Sequence, residues 1–225
     1  MDSLDDTESM TSQPPTADQL AALRGLGSAT VYEAQGAFGA LDSSIKPLDP
    51  RSRLAAPAFT VDMRPADNLM LHYALLKARP GDVLVVDAKA FMEAGPWGDV
   101  LTAMAQKIGI AALVINGAVR DAQAIVDAGF PVWCRGLSIK GTAKNQPGRI
   151  NVPITIGDVV IHAGDIVVAD RDGIAIVPAD RIDAVLAAAL DREQKESRMR
   201  DAIAQGATTA DLLDLAPTLR RLGLE

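Results

Sequence analysis

The chain has 225 residues, 48% hydrophobic and 23% charged, enough to bury one substantial core without demanding a second domain. A net charge of −7 argues against a nucleic-acid groove, and the single cysteine, Cys134, excludes an intrachain disulfide framework and fits a reducing compartment. No apolar run reaches the roughly 18 residues needed to cross a bilayer, and the acidic, Ser/Thr-rich start lacks the blocks of a signal peptide. A cytoplasmic protein is expected, with small molecules or other protein subunits as partners rather than nucleic acid or membrane.

Residues 1–16 show no apolar periodicity and are expected to form a disordered tail, leaving 17–225 as one domain. Over residues 17–39, Leu20, Leu23, Val31 and Ala34 suggest two helices separated by Gly25-Leu26-Gly27-Ser28, with Ser28 able to cap the second. Alternation predicts a strand over 55–63, followed by a helix over 68–77 that Pro80-Gly81 closes. The β-branched runs at 82–87 and 110–116 bracket a helical stretch at 98–109, a β-α-β unit. A helix over 121–128 and a strand over 130–134 extend it, so parallel strands with crossover helices are the economical solution. From 150 to 178, short β runs alternate with turns at Gly157-Asp158, Ala163-Gly164-Asp165 and Arg171-Asp172-Gly173, which predicts hairpins or part of a small barrel. A long helix over 180–205 follows, charged in its second half. The leucines of 209–225 suggest a short docking helix, so the whole 180–225 segment is expected to make intersubunit contacts. The fold class is thus α/β, with a central parallel β-α-β unit, a hairpin-rich second half and C-terminal helices.

In a parallel sheet, ligands gather beyond the carboxyl ends of the strands, where helix N-termini point their unpaired N–H groups. Two loops occupy that position: 88–98, entering a helix at Asp99, and Gly117-Ala118-Val119-Arg120-Asp121, entering the next. Their convergence suits an anionic substrate held by a metal. The amides of Gly98, Val100 and Leu101 could cradle a carboxylate while Arg120 grips it bidentately and stabilises an enolate oxygen. Asp121 could hold a hard cation such as Mg²⁺, and Asp99 could orient one of its waters. Taken alone, the same residues also suit two helix caps and a surface ion pair.

Asp99, twenty intervening residues and then Arg120-Asp121 resembles the D-x20-R-D pattern of 4-hydroxy-4-methyl-2-oxoglutarate aldolases. The stretches GDVLVVDA, EAGPWGDVL, LVINGAVRD, GFPVWCRGLSIKGTAK, INVPITIG and AGDIVVADRDGIAIVP are similar in order and spacing to the RraA-like family that contains those aldolases. The resemblance runs over residues 20–225. It implies a swivelling β/β/α fold, a homotrimer or homohexamer with active sites between subunits, and Mg²⁺ or Mn²⁺ as cofactor. The implied activity is that of a class II pyruvate aldolase with oxaloacetate decarboxylase activity, acting on oxo-dicarboxylates or oxo-tricarboxylates such as 4-hydroxy-4-methyl-2-oxoglutarate or 4-carboxy-4-hydroxy-2-oxoadipate. By the same resemblance, Asn68 lies near the substrate, with a helix-cap role as its alternative. Glu33 and Glu196 approach from an adjacent subunit, where either could act as a base. Many aldolases have a Gly-rich loop where this chain has Asp87-Ala88-Lys89-Ala90-Phe91-Met92-Glu93, a departure that bears on substrate choice.

Lys144, with Arg135 and Lys140 nearby in sequence, adds positive charge that could attract the substrate, or forms a solvated basic face. Asp165 and Asp172 suit turn formation, and Cys134 suits the core. His72 and His162 make no close pair for zinc, and no serine elbow, dinucleotide fingerprint or P-loop is present. A Schiff-base aldolase would have Lys89 or Lys144 as its candidates. The competing readings are a non-catalytic ribonuclease regulator on the same scaffold, whose members lack the complete Asp/Arg-Asp set, and a related lyase or hydrolase for another oxo acid.

Overall fold

The computed structural model describes residues 14–224, so residues 1–13 of the expected tail lie outside it. Thr16 already belongs to the folded part. Its side chain accepts from the Gln19 amide while the Gln19 side chain accepts from the Thr16 amide, a reciprocal box that starts α1 (Ala17–Leu26). The next helix, α2 (Ser28–Ala34), is preceded by Gly27, whose φ of 84° is open to glycine at no steric cost. Ser28 is therefore not the cap expected from the sequence; its buried hydroxyl donates to Asp170 Oδ1 at 2.7 Å.

The remaining elements follow in order: β1 (Lys46–Pro47), β2 (Leu54–Asp62), α3 (Leu69–Leu75), β3 (Val83–Phe91), α4 (Asp99–Lys107), β4 (Ala112–Val119), α5 (Ala122–Asp127), β5 (Val132–Leu137), β6 (Arg149–Ile150), β7 (Ile154–Ile156), β8 (Val159–Ile161), β9 (Ile166–Ala169), β10 (Ile174–Val177), α6 (Ile182–Ala204), α7 (Thr209–Leu212) and α8 (Ala216–Leu222). One sheet runs β1-β5-β4-β3-β2-β9-β10, with β6 paired to β2, and β7-β8 form a separate hairpin. The β2-β3, β3-β4 and β4-β5 pairs are parallel and the others antiparallel. The expected β-α-β unit is β3-α4-β4, and the Arg171-Asp172-Gly173 turn closes the β9-β10 hairpin.

Strands β3 and β4 are apolar on both faces because both faces are covered. Leu84, Val86, Leu113 and Ile115 pack with Leu71, Trp97, Leu101 and Ile125 beneath α3, α4 and α5. Val83, Val85, Ala112 and Val114 face the other way, onto Trp133 and the β7-β8 residues Ile154, Ile156 and Ile161. A third cluster joins Leu23 and Val31 to Ile166, Val168, Val177, Ile182 and Val185, seating α1, α2 and α6 on β9 and β10. Each fully buried aliphatic side chain contributes about 1.5–3 kcal/mol.

Only the first half of α6 is anchored in this way, through Ile182, Val185 and Ala189; the second half carries the ion pairs Lys195–Asp191 at 2.6 Å and Arg192–Glu196 at 3.0 Å. The docking helix expected at 209–225 is instead two short helices. Leu213, Leu222 and Leu224 are more than half exposed, so this end does not dock onto its own chain through them. No helix among the described residues is long and apolar enough to cross a membrane.

Candidate functional site

Three loops meet beyond the carboxyl ends of β3, β4 and β5. The loop after β3 enters α4 at Asp99, with Gly98 in the N-cap position, and the loop after β4 enters α5 through Asp121, whose φ of 54° is left-handed. They are stitched together by backbone, since the Arg120 amide donates to the Trp97 carbonyl at 2.9 Å. The loop after β5 joins through Ser138 N to Val119 O and Gly95 N to Lys140 O, each at 2.9 Å. Trp97 itself is buried, stacks on Phe130 and donates its indole N–H to Thr102 Oγ1 at 2.8 Å, so the base of the loop is rigid.

Asp99, Arg120 and Asp121 do converge. Asp121 Oδ2 accepts from the Asp99 amide at 3.3 Å and lies 3.4 Å from Arg120 Nε. Both charged side chains of that pair are more than one-third exposed, which leaves them accessible to a ligand. Gly98 is required here by space: a Cβ would press into Asp121 Oδ2 and stand 3.1 Å from Arg120 Cγ and Nε. The expected amide cradle needs one correction. Val100 N donates to Asp99 Oδ1 at 2.7 Å, so that amide is satisfied internally, while the Leu101 side chain is buried in the core.

Asn68 sits at the N-cap position of α3 but its side chain caps nothing. Nδ2 donates to the Pro96 carbonyl at 2.9 Å, tying α3 to the same loop, and the buried Oδ1 has no partner among the described residues. Capping is done by Asp67, which the sequence reading missed. Its Oδ1 accepts from Leu69 N at 2.9 Å, and its Oδ2 from Asn145 N at 2.8 Å and Gln146 N at 3.0 Å, clamping the segment that contains Lys144 beside Asn68. Burial alone would push the Asp67 carboxyl up, but these amides and the nearby Lys144 charge hold it below its ordinary value. Such a group stabilises the fold fully above its unfolded pKa of about 3.9 and loses that contribution as pH falls through the lower folded value. Asp67→Asn should therefore cost about 2 kcal/mol at pH 7, with the gap to wild type closing as pH falls below about 4; urea unfolding across that range measures it.

Glu33 and Glu196 are brought to each other, both within ion-pair reach of Arg192, at 3.8 and 3.0 Å. Among the described residues no hydrogen bond or ion pair joins them to Asp99, Arg120 or Asp121. Lys89 lies 2.6 Å from Asp62 Oδ1 and 2.5 Å from Asp87 Oδ2. Burial would lower its pKa, but the two carboxylates hold it above the ordinary value, which keeps the ammonium charged and opposes a Schiff-base role. Lys89 and Ala90 have φ of 60° and 54°, conformations glycine reaches without strain, so this loop adopts with side chains the kind of backbone that a Gly-rich loop adopts freely. Burial and the Lys144 charge lower the His72 pKa and favour the neutral ring. Burial likewise pushes Cys134 up to about 11, as befits a core thiol. Asp165 is a turn former: it accepts from His162 N at 2.8 Å and Ala179 N at 3.2 Å.

No three carboxylate, imidazole or thiolate groups gather to hold a metal among the described residues. The donors at this site nonetheless fit a hard cation, because Mg²⁺ and Mn²⁺ take one or two carboxylates and leave the other positions to water and substrate. Asp121 Oδ1 makes no hydrogen bond among the described residues and is the available ligand atom.

Charged loops gathered at the carboxyl ends of the parallel strands stand where α/β sheets commonly bind ligands. Residues 28–176 match the family model described as RraA-like, Aldolase/RraA, and the chain belongs to that family. It is 36% identical over 186 residues to the "Putative 4-hydroxy-4-methyl-2-oxoglutarate aldolase" of Halalkalibacterium halodurans, covering 83% of this chain and 89% of that one. Among solved structures it is similar to an uncharacterized protein from Pseudomonas syringae pv. tomato, with a TM-score of 0.77, 28% identity and coverage of 87% of this chain and 96% of that one. It is also similar to RraAS2 of Streptomyces coelicolor, described as an unusual member of the RNase ES inhibitor RraA protein family, with a TM-score of 0.72, 31% identity and coverage of 84% and 98%.

Proposed function

We propose that this chain is a divalent-metal-dependent carbon–carbon lyase that releases pyruvate from 4-hydroxy-4-methyl-2-oxoglutarate or 4-carboxy-4-hydroxy-2-oxoadipate type substrates and decarboxylates oxaloacetate. The observation that carries this reading is the meeting of Arg120 and Asp121 at the N-terminus of α4, over Gly98, whose missing Cβ lets both side chains approach. The aldolase name of the H. halodurans relative supports it.

Asp121 would hold Mg²⁺ or Mn²⁺, with Asp99 reaching it through water; when bound, the ion supplies Lewis acidity to the oxo-acid oxygens. Arg120 binds the substrate carboxylate and balances the negative charge that grows on the C2 oxygen as the C3–C4 bond breaks. A base takes the proton from the C4 hydroxyl, whose carbon leaves as a carbonyl, and the enolate is protonated at C3 to give pyruvate. Glu33 or Glu196 of a neighbouring subunit is the candidate base, in an oligomer of three or six chains. Asn68, tied to the Pro96 carbonyl of the loop entering α4, is the candidate to bind a substrate hydroxyl or carboxylate, and Lys144 adds charge that draws in the anion. Decarboxylation of oxaloacetate yields the same enolate and needs only the pyruvyl half of the site.

A coupled pyruvate-release assay with oxaloacetate and with 4-hydroxy-4-methyl-2-oxoglutarate, in Mg²⁺ and again in EDTA, tests this. Turnover is expected in Mg²⁺, with at least a hundredfold loss in chelator that added Mg²⁺ restores; equal rates in both conditions would refute metal dependence. The similarity to RraAS2 favours a second reading, a protein-binding ribonuclease regulator. Absence of turnover on both substrates together with capture of a ribonuclease would put that reading first.

A further inference from the structure

The face of the sheet turned away from α3, α4 and α5 ends in a row of polar residues, one from each parallel strand. Asp62 of β2 stands opposite Asp87 of β3 in the strand register. Asn116 of β4 donates its Nδ2 to Asp87 Oδ1 at 2.9 Å, and Arg135 of β5 donates Nε to Asn116 Oδ1 at 2.5 Å. Arg149 closes one end on Asp62 at 3.1 Å, and Asp42 and Ser44 close the other on Arg135. Asp87 and Asn116 are buried, so the middle of the row belongs to the core edge, while Arg149 and Asp42 at its ends are exposed.

Lys89 joins this row from an irregular stretch. The β3-β4 pairing breaks between Val86, opposite Ile115, and Phe91, opposite Gly117, and both left-handed residues, Lys89 and Ala90, lie in that interval. Neither is glycine, so the backbone is held in a conformation that side chains disfavour. What holds it is visible: the Lys89 amide donates to Asp87 Oδ1 at 2.9 Å, and its ammonium spans Asp62 and Asp87. From this bulge the chain runs directly into the loop whose Pro96 carbonyl receives Asn68 and whose Trp97 carbonyl receives the Arg120 amide.

We infer that Lys89 is a positioning residue: by clamping the left-handed bulge to Asp62 and Asp87, it sets where the 92–98 loop presents Asn68, Gly98 and Arg120 to a ligand. The catalytic consequence rests on the function proposed above; the conformational one does not. Lys89→Met is nearly isosteric and removes the ammonium with its charge and N–H donors, whereas Lys89→Arg keeps a cation for both carboxylates.

Hydrogen exchange on the full-length protein, read beside oxaloacetate kinetics in Mg²⁺, tests the inference. In Lys89→Met, the Gly95 and Arg120 amides should exchange at least tenfold faster than in wild type, while β2, β4 and β9 amides stay within twofold. The KM for oxaloacetate should rise at least fivefold, and Lys89→Arg should restore both readouts. If Lys89→Met does not fold, Asp87→Asn, which retains the side-chain acceptor, should give the same local pattern. Unchanged exchange at Gly95 and Arg120, or acceleration by one common factor across the sheet, would overturn the clamp. Altered loop exchange in a protein whose wild type shows no turnover would leave the clamp standing and remove the lyase.

Discussion

Arg120→Ala should lower pyruvate release from oxaloacetate by about 10²–10³-fold, the scale seen when a single charge-stabilising donor is removed from a developing oxyanion. The fold should survive it. The side chain is nearly half exposed, its one ion pair among the described residues, to Asp121, is long, and its backbone bond to Trp97 does not depend on the side chain. An exposed pair of this kind is worth at most about 1 kcal/mol, so the unfolding midpoint should move little while turnover collapses. Arg120→Lys should recover only part of the loss, because an ammonium supplies charge without the planar fork that grips a carboxylate at two points. Steady-state kinetics beside thermal unfolding measure both quantities, and an Arg120→Ala enzyme with wild-type kcat/KM would sink the proposed role.

A methyl group at position 98 should be almost as damaging, by a different route. Gly98 has φ −153° and ψ −163°, an extended conformation open to any residue, so Gly98→Ala adds no backbone strain. Its Cβ instead displaces Asp121 Oδ2 and crowds Arg120, moving the proposed metal ligand and carboxylate-binding group together. A shift of about 1 Å costs on the order of a hundredfold in rate. The Mg²⁺ concentration giving half-maximal activity should rise at the same time, which a purely structural defect would not produce. Gly141→Ala is the control, since a Cβ there meets nothing within 4 Å. Equal kinetics and equal Mg²⁺ dependence in the two variants would show that Gly98 is not part of the site.

Much of this arrangement is legible in the chain itself. The apolar runs of β3 and β4, and the turns at Gly157-Asp158 and Arg171-Asp172-Gly173, announce their elements because local periodicity and turn chemistry require no distant partner. Asp99, Arg120 and Asp121 were readable as neighbours for a related reason: parallel strands in one sheet place successive strand-end loops side by side. Other features were invisible locally. Ser28 has the chemistry of a cap and spends it on Asp170, 142 positions away, while Asp67 looks like an ordinary helix-start carboxylate and yet clamps the Lys144 segment. The leucines after Thr209 read as a docking helix with intersubunit contacts, and in the structure Leu213, Leu222 and Leu224 are more than half exposed on two short helices.

By itself the sequence determined the parallel α/β core, the loops that carry charge, and membership of the RraA-like family. Only the tertiary structure decided which of those charges are spoken for. It took Lys89 for Asp62 and Asp87, paired Glu33 with Glu196 around Arg192, and left Asp121 Oδ1 and Asn68 Oδ1 without partners among the described residues. The physical reason is range. Periodicity and turn signals act over a few residues, whereas the partner of a charged or buried polar group is set by how strands and helices from distant parts of the chain are packed together.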